Sequence, residues 1–110
     1  MKNSRNKGKN GELEFCKLAR EHGHTARRSQ QFSGDKQDGD PDVIIDTPVA
    51  IHTEVKRRES GNIDQWLAQA TDDAREGAIP VVAHRRNGEK WKITLSADDF
   101  FRLIGKGSEK

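Results

Sequence analysis

A single cysteine, Cys16, excludes an intramolecular disulfide from this chain of 110 residues and fits a reducing compartment. No apolar run approaches the ~20 residues that a membrane span requires. The basic N-terminus, MKNSRNKGKN, lacks the apolar segment of a signal peptide. The expectation is a soluble, cytoplasmic protein with no membrane contact. A dominant charge sign is also missing: 20 basic and 18 acidic residues leave a net charge of +2, so local clusters matter more than the global field. Apolar residues make up 31% and the mean hydropathy is −1.00. Low hydropathy alone suggests disorder. Here, however, the apolar residues are periodic and separated by turn signals, which marks one small folded domain. His22, His24, His52 and His84 have no zinc spacing, and one cysteine does not complete one. Nor is there a glycine-rich phosphate loop, which argues against kinase-like or P-loop chemistry.

Periodicity and turn chemistry divide the chain. Residues 1–9 are polar and lysine-rich, expected as a flexible arm, and 105–110 as a flexible tail; the domain is 10–104. A first helix is expected over 10–21, capped by Asn10 and ended by Gly23. Residues 29–40 have no apolar period and read as a long loop, a kind often tied to function. A short buried strand at 43–45 and a turn at 46–48 lead to an alternating strand at 49–56. Ile63, Trp66, Leu67, Ala70 and Ala74 form one helical stripe, closed by Gly77. Strands at 79–86 and 90–95 flank Asn87-Gly88, a two-residue hairpin signal. Ser96 caps a last helix carrying Phe100, Phe101, Leu103 and Ile104; Phe100, Phe101 and Trp91 are suited to core or dimer contacts rather than base stacking. The order is α-β-β-α-β-β-α.

Several carboxylates converge on the first hairpin. With the turn near Thr47, Asp42 lies almost opposite Thr53 and so beside Glu54. Cross-strand neighbours sit roughly 5–8 Å apart, close enough to share a divalent cation with oxygen ligands at about 2.0–2.1 Å. Glu54 and Lys56, two apart on one strand, point to the same side. Glu12 shares the helix face of Phe15, Cys16 and Ala19, where a carboxylate is costly unless it is paired or binds metal. Two or three anions with one ammonium suit phosphodiester hydrolysis, because a metal activates water and a lysine offsets charge on the phosphate. An isolated E-x-K on a strand is usually a solvated pair. The combination of Pro41-Asp42, a buried strand, Glu54-Val55-Lys56 and an inward Glu12 is far more specific.

Those residues resemble the PD-(D/E)xK nucleases, most closely the archaeal-type Holliday-junction resolvases and their phage-borne relatives. Lys7-Gly8 followed by Glu12 is similar to their N-terminal motif. Arg28-Ser29 is similar to the pair before their mobile loop. Pro41-Asp42 and Glu54-Val55-Lys56 are similar to the two halves of the catalytic motif. The resemblance runs from about Lys7 to Val82. It implies an α/β fold with a restriction-endonuclease-like core, a small mixed four-stranded sheet flanked by helices. It also implies a homodimer that nicks four-way DNA junctions with Mg²⁺ or Mn²⁺. Carried over by position, Glu12, Asp42 and Glu54 are metal ligands, Lys56 is the catalytic lysine and Arg28 a phosphate contact. Asp40 rivals Asp42, since the loop also holds Asp35 and Asp38. Gln69, on the helix carrying Trp66, is a lesser candidate. Phage-borne relatives leave a phage-encoded origin open.

Basic clusters surround this set: Lys7 and Lys9 in the arm, Arg27-Arg28 with Ser29, and Lys56-Arg57-Arg58. They suit phosphate contacts whose affinity falls with salt. Arg85-Arg86, beside the hairpin turn, reads more simply as a solvated pair. Two other functions stay open: a nuclease of the same fold acting on flaps or duplex DNA, and a catalytically silent DNA-binding module.

Overall fold

The structure is a computed structural model, and it describes residues 4–29 and 40–105. Along the chain run α1 (Ser4–Glu21), β1 (Ala26–Arg28), β2 (Val43–Ile45), β3 (Ile51–Arg57), α2 (Ile63–Asp73), β4 (Ile79–Arg85), β5 (Lys92–Thr94) and α3 (Ala97–Ile104). The sheet is mixed and ordered β1-β2-β3-β4-β5; only β3 and β4 are parallel. No described helix is long and apolar enough to cross a membrane.

The α/β expectation holds, with a correction to the strand count. Five strands are present among the described residues rather than four, because β1 pairs antiparallel with β2, Ala26 opposite Ile45 and Arg28 opposite Val43. Only Ala26 of its three residues is buried, so no alternation marks it in the sequence. Its position comes from pairing, and from Arg20, which donates to the Ala26 carbonyl at 2.7 Å. The first helix begins at Ser4, six residues before the expected start, so Asn10 lies inside it and residues 4–9 are helical. Its end at Gly23 is as expected: φ is +93° there, and His24 N–H closes back on the Ala19 carbonyl at 3.1 Å.

Two turns also differ. The second helix stops at Asp73, and Gly77 serves a separate turn four residues later, with φ +88°. Between β4 and β5, the Glu89 N–H reaches the Arg86 carbonyl at 3.1 Å. Asn87 keeps a negative φ, whereas a two-residue type I′ hairpin needs positive φ at both central positions. The loop is accordingly longer, and pairing begins only at His84–Lys92. The last helix is capped as expected, the Ser96 side chain accepting from Asp99 N–H at 3.1 Å.

One face of the sheet packs on α1. Phe15, Cys16 and Ala19 meet Ala26, Val43, Val55 and Ala83, and Leu18, Ile45 and Trp91 close the edges. Trp91 lies 5.2 Å from Phe15, ring centre to ring centre. The other face receives α2 through Ala70, which is fully buried. By contrast, α3 buries none of its residues, and Phe100, Phe101, Leu103 and Ile104 are exposed.

Candidate active site

The site lies where β2 parts from β3. Pairing between them reaches Val43 opposite Thr53. Beyond it the Asp42 side chain takes over, its Oδ2 accepting the Val55 N–H at 2.9 Å. A side chain thereby replaces a ladder bond, and Asp42 is held between Glu54 and Lys56 along the strand. Its backbone is fixed as well: Asp42 N–H donates to the Thr53 carbonyl at 2.8 Å, and Ser29 N–H to the Asp42 carbonyl at 3.2 Å. The Ser29 hydroxyl adds a bond to the Pro41 carbonyl.

A cleft of about 590 Å³ opens here, lined by Glu12, Asp42, Lys56, Arg57, Arg58 and neighbours. Glu12 arrives from α1, which can approach closely because residue 11 is glycine; a Cβ there would lie 2.7 Å from the Arg57 Cβ. Arg28 of β1 donates to Glu12 Oε1 at 2.8 Å, both side chains being largely buried. The inward carboxylate expected from helix periodicity therefore has a cationic partner.

Glu54 is placed differently. It is buried at 8% exposure, and its Oε2 lies 2.7 Å from Nε2 of His52, itself 3% exposed. Asp73, at the end of α2, completes a group in which one ligand atom from each of the three residues lies within 4.8 Å of the others. Among the described residues this is the one such group of three. The expected set is thus divided: Glu12, Asp42 and Lys56 share the cleft, while the Glu54 carboxylate turns toward His52 and Asp73. His52 and Asp73 were not singled out for the site, although alternation along β3 does put His52 on the Glu54 face. Asp73 joins from a separate element, a proximity that no local spacing encodes.

The remaining candidates scatter. Asp40 lines a second cleft of about 420 Å³ with Arg27, Ser29, His52 and Arg75, not the one that holds Asp42. Arg57 lines the first cleft but is engaged with Glu14, Asn87 and Glu59. Arg58 is exposed at the rim and Lys9 exposed on α1, while Gln69 is exposed on α2 and lines neither cleft. The side chain of Lys7, together with Asp35 and Asp38, is outside the described residues.

Burial perturbs the titration of Cys16 and His84. Burial pushes the Cys16 thiol up, which keeps it protonated and unreactive. Burial, then the nearby Lys92 and Arg86, pushes the His84 imidazole down. The donor chemistry of the cleft fits a hard divalent cation, since carboxylate oxygens are the ligands Mg²⁺ takes.

The model of a family described as phage putative PDDEXK endonuclease matches residues 3–109. Among solved structures, the chain is similar to Archaeoglobus fulgidus Hjc, a Holliday junction resolvase from an archaeal hyperthermophile. The TM-score is 0.60 and the identity 22%, over 80% of this chain and 76% of that one; the likeness is one of fold. No curated protein matches the chain.

Proposed function

The chain belongs to the phage putative PDDEXK endonuclease family, and from that premise we propose that it is a divalent-metal-dependent DNA endonuclease acting on branched DNA, with four-way junctions as its substrate. The carrying observation is the Asp42 carboxylate bonded to Val55 N–H, within one cleft with Glu12 and Lys56. That bond fixes an acid between the Glu and Lys of an E-x-K strand.

In this reading Glu12 and Asp42, with Glu54 once its carboxylate turns from His52, would hold Mg²⁺ or Mn²⁺. When bound, the ion supplies Lewis-acid polarisation of the phosphate and a more acidic water. The chain's own groups do the rest. Asp42 is preorganised by strand and side-chain bonds, and Arg28 orients Glu12. Lys56 places an ammonium beside the phosphate, where it offsets developing negative charge. Arg58 at the rim, with Lys7, Lys9, Arg28, Ser29 and Arg57 around it, supplies the basic and polar surface for backbone phosphates. Gln69 keeps a lesser role along the DNA path.

The junction assignment draws on the resemblance in motif and fold to junction resolvases. Two symmetric nicks need two sites, and the exposed apolar face of α3 supports a homodimer. A soluble, cytoplasmic setting is part of the same reading.

Labelled four-way junction, flap and linear duplex, each incubated with and without Mg²⁺, test it. Symmetric, Mg²⁺-dependent nicking of the junction alone is expected. Cleavage of flap or duplex instead reassigns the substrate, and cleavage of none removes the enzyme. Glu54→Gln is expected to abolish cleavage and leave junction binding nearly intact; persistent cleavage refutes the site.

A further inference from the structure

We propose that His52, Glu54 and Asp73 form a second cation site, on the α2 face of β3, that takes a borderline transition ion of the Zn²⁺ class rather than Mg²⁺. This goes beyond the nuclease reading, and only its regulatory consequence rests on that reading.

Three observations carry it. The first is geometry: one ligand atom from each residue lies within 4.8 Å of the others. Zinc bonds nitrogen at about 2.0–2.1 Å and carboxylate oxygen at about 2.0–2.2 Å, so modest closure around an ion satisfies all three. The second is charge. Glu54 is buried and Asp73 half-buried, yet no lysine or arginine among the described residues forms an ion pair with either. The Asp73 side chain has no hydrogen bond to another described residue. Two carboxylates placed this close favour a shared cation, and the His52 ring hydrogen-bonds with Glu54 alone. The third is access: His52 is 3% exposed but forms part of the wall of the 420 Å³ cleft beside β2 and β3. The imidazole therefore borders an open cleft.

The ligand set selects the ion. Imidazole nitrogen suits zinc and its neighbours, whereas Mg²⁺ prefers oxygen and retains its waters. Three protein ligands leave one tetrahedral position open for water. The ion would replace the His52–Glu54 hydrogen bond and hold Glu54 on the α2 face. Glu54 is then withdrawn from Asp42, so Zn²⁺ at this site restrains the Mg²⁺-dependent cleavage.

Calorimetric titration of the chelator-stripped, full-length protein with Zn²⁺ and with Mg²⁺, in the absence of DNA, tests the site apart from activity. Wild type is expected to bind Zn²⁺ more tightly than Mg²⁺. His52→Gln and Asp73→Asn are each expected to weaken Zn²⁺ by about tenfold or more and leave Mg²⁺ nearly unchanged. Asp42→Asn is expected to weaken Mg²⁺ and spare Zn²⁺. Asp73 is half-buried at a helix end, so its variant keeps the fold even where His52→Gln does not, and circular dichroism verifies each. Unchanged Zn²⁺ affinity in the Asp73 variant, or loss of Zn²⁺ with Asp42→Asn alone, overturns the proposal. Failure of cleavage on every DNA substrate leaves these titrations unaffected and bears on the nuclease reading alone.

Discussion

Arg28 donates through Nε to Glu12 Oε1 at 2.8 Å, with both side chains about four-fifths buried, and so ties the edge strand β1 to the helix α1. An arginine in this position is expected from resemblance to contact phosphate. The structure pairs it instead with Glu12, a carboxylate of the candidate site. Arg28→Ala separates orientation of that carboxylate from phosphate contact. If orientation dominates, kcat falls by about tenfold to a hundredfold, because small misplacements near the reacting centre are costly, while DNA affinity changes little. A loss of affinity at constant kcat would instead mark Arg28 as a phosphate contact only. Single-turnover cleavage with a parallel binding titration measures both.

The approach of α1 to β3 depends on Gly11. Its absent Cβ would meet the Arg57 Cβ at 2.7 Å, an atom anchored to the strand rather than the free end of a side chain. In an open helix, alanine is better than glycine by about 1 kcal/mol. At Gly11 the sign is expected to reverse, with Gly11→Ala costing about 1–3 kcal/mol through overpacking. Gly8, three residues earlier, has nothing within 4 Å of an added Cβ, so Gly8→Ala should stabilise slightly. Urea midpoints of the two variants moving in the same direction would reject the close-approach argument.

Glu14 falls off the apolar stripe of α1. In the structure its Oε1 receives Arg57 at 3.3 Å, Trp91 at 3.1 Å and Arg85 as well. One carboxylate oxygen thus joins α1 to β3, β4 and the segment before β5. Exposed ion pairs contribute little, and Glu14 is 37% exposed. The partly buried arginines and the indole N–H make its removal costlier, because they lose their acceptor. Glu14→Ala is expected to cost about 1–2 kcal/mol, reduced by that exposure. Arg57 released from this brace is also freer at the cleft. A thermal midpoint equal to that of wild type would show that the brace is merely decorative.

Much of this was legible in the sequence because it rests on local chemistry. The face shared by Phe15, Cys16 and Ala19, the Ser96 cap and the termination at Gly23 follow from spacing and propensity. The proximity of Asp42 to the Glu54–Lys56 strand follows from a short hairpin. What stayed hidden depends on long-range pairing. β1 has one buried residue and is a strand only because β2 lies beside it. Asp73 reaches His52 and Glu54 across the packing of α2 on the sheet. Gly11 is indistinguishable from a weak helix position until Arg57 is seen behind it. Asn87-Gly88 misled for a related reason: the dipeptide favours a two-residue turn, but pairing of β5 starts only at Lys92, and the extra loop length relaxes the turn.

The Arg86–Lys92 side of the hairpin leaves a mark on pH dependence. Burial, followed by the charges of Lys92 and Arg86, lowers the His84 pKa from its ordinary 6.5, with Glu89 opposing. The fold therefore favours the neutral ring, whose Nε2 lies 2.8 Å from Thr94 Oγ1. The unfolded chain takes up the proton more readily. Stability linked to His84 is then present above about pH 6.5 and lost as pH falls through the depressed folded pKa. Carboxylates lose stability in the adjoining acidic range, so wild type alone does not isolate the histidine. His84→Gln keeps a hydrogen-bonding group and removes the titration. Urea unfolding of both proteins between about pH 7.5 and 5 is expected to show the variant gaining on wild type as pH falls. A difference constant across that range would mean that His84 titrates alike in the folded and unfolded chain, and that the two cations do not reach it.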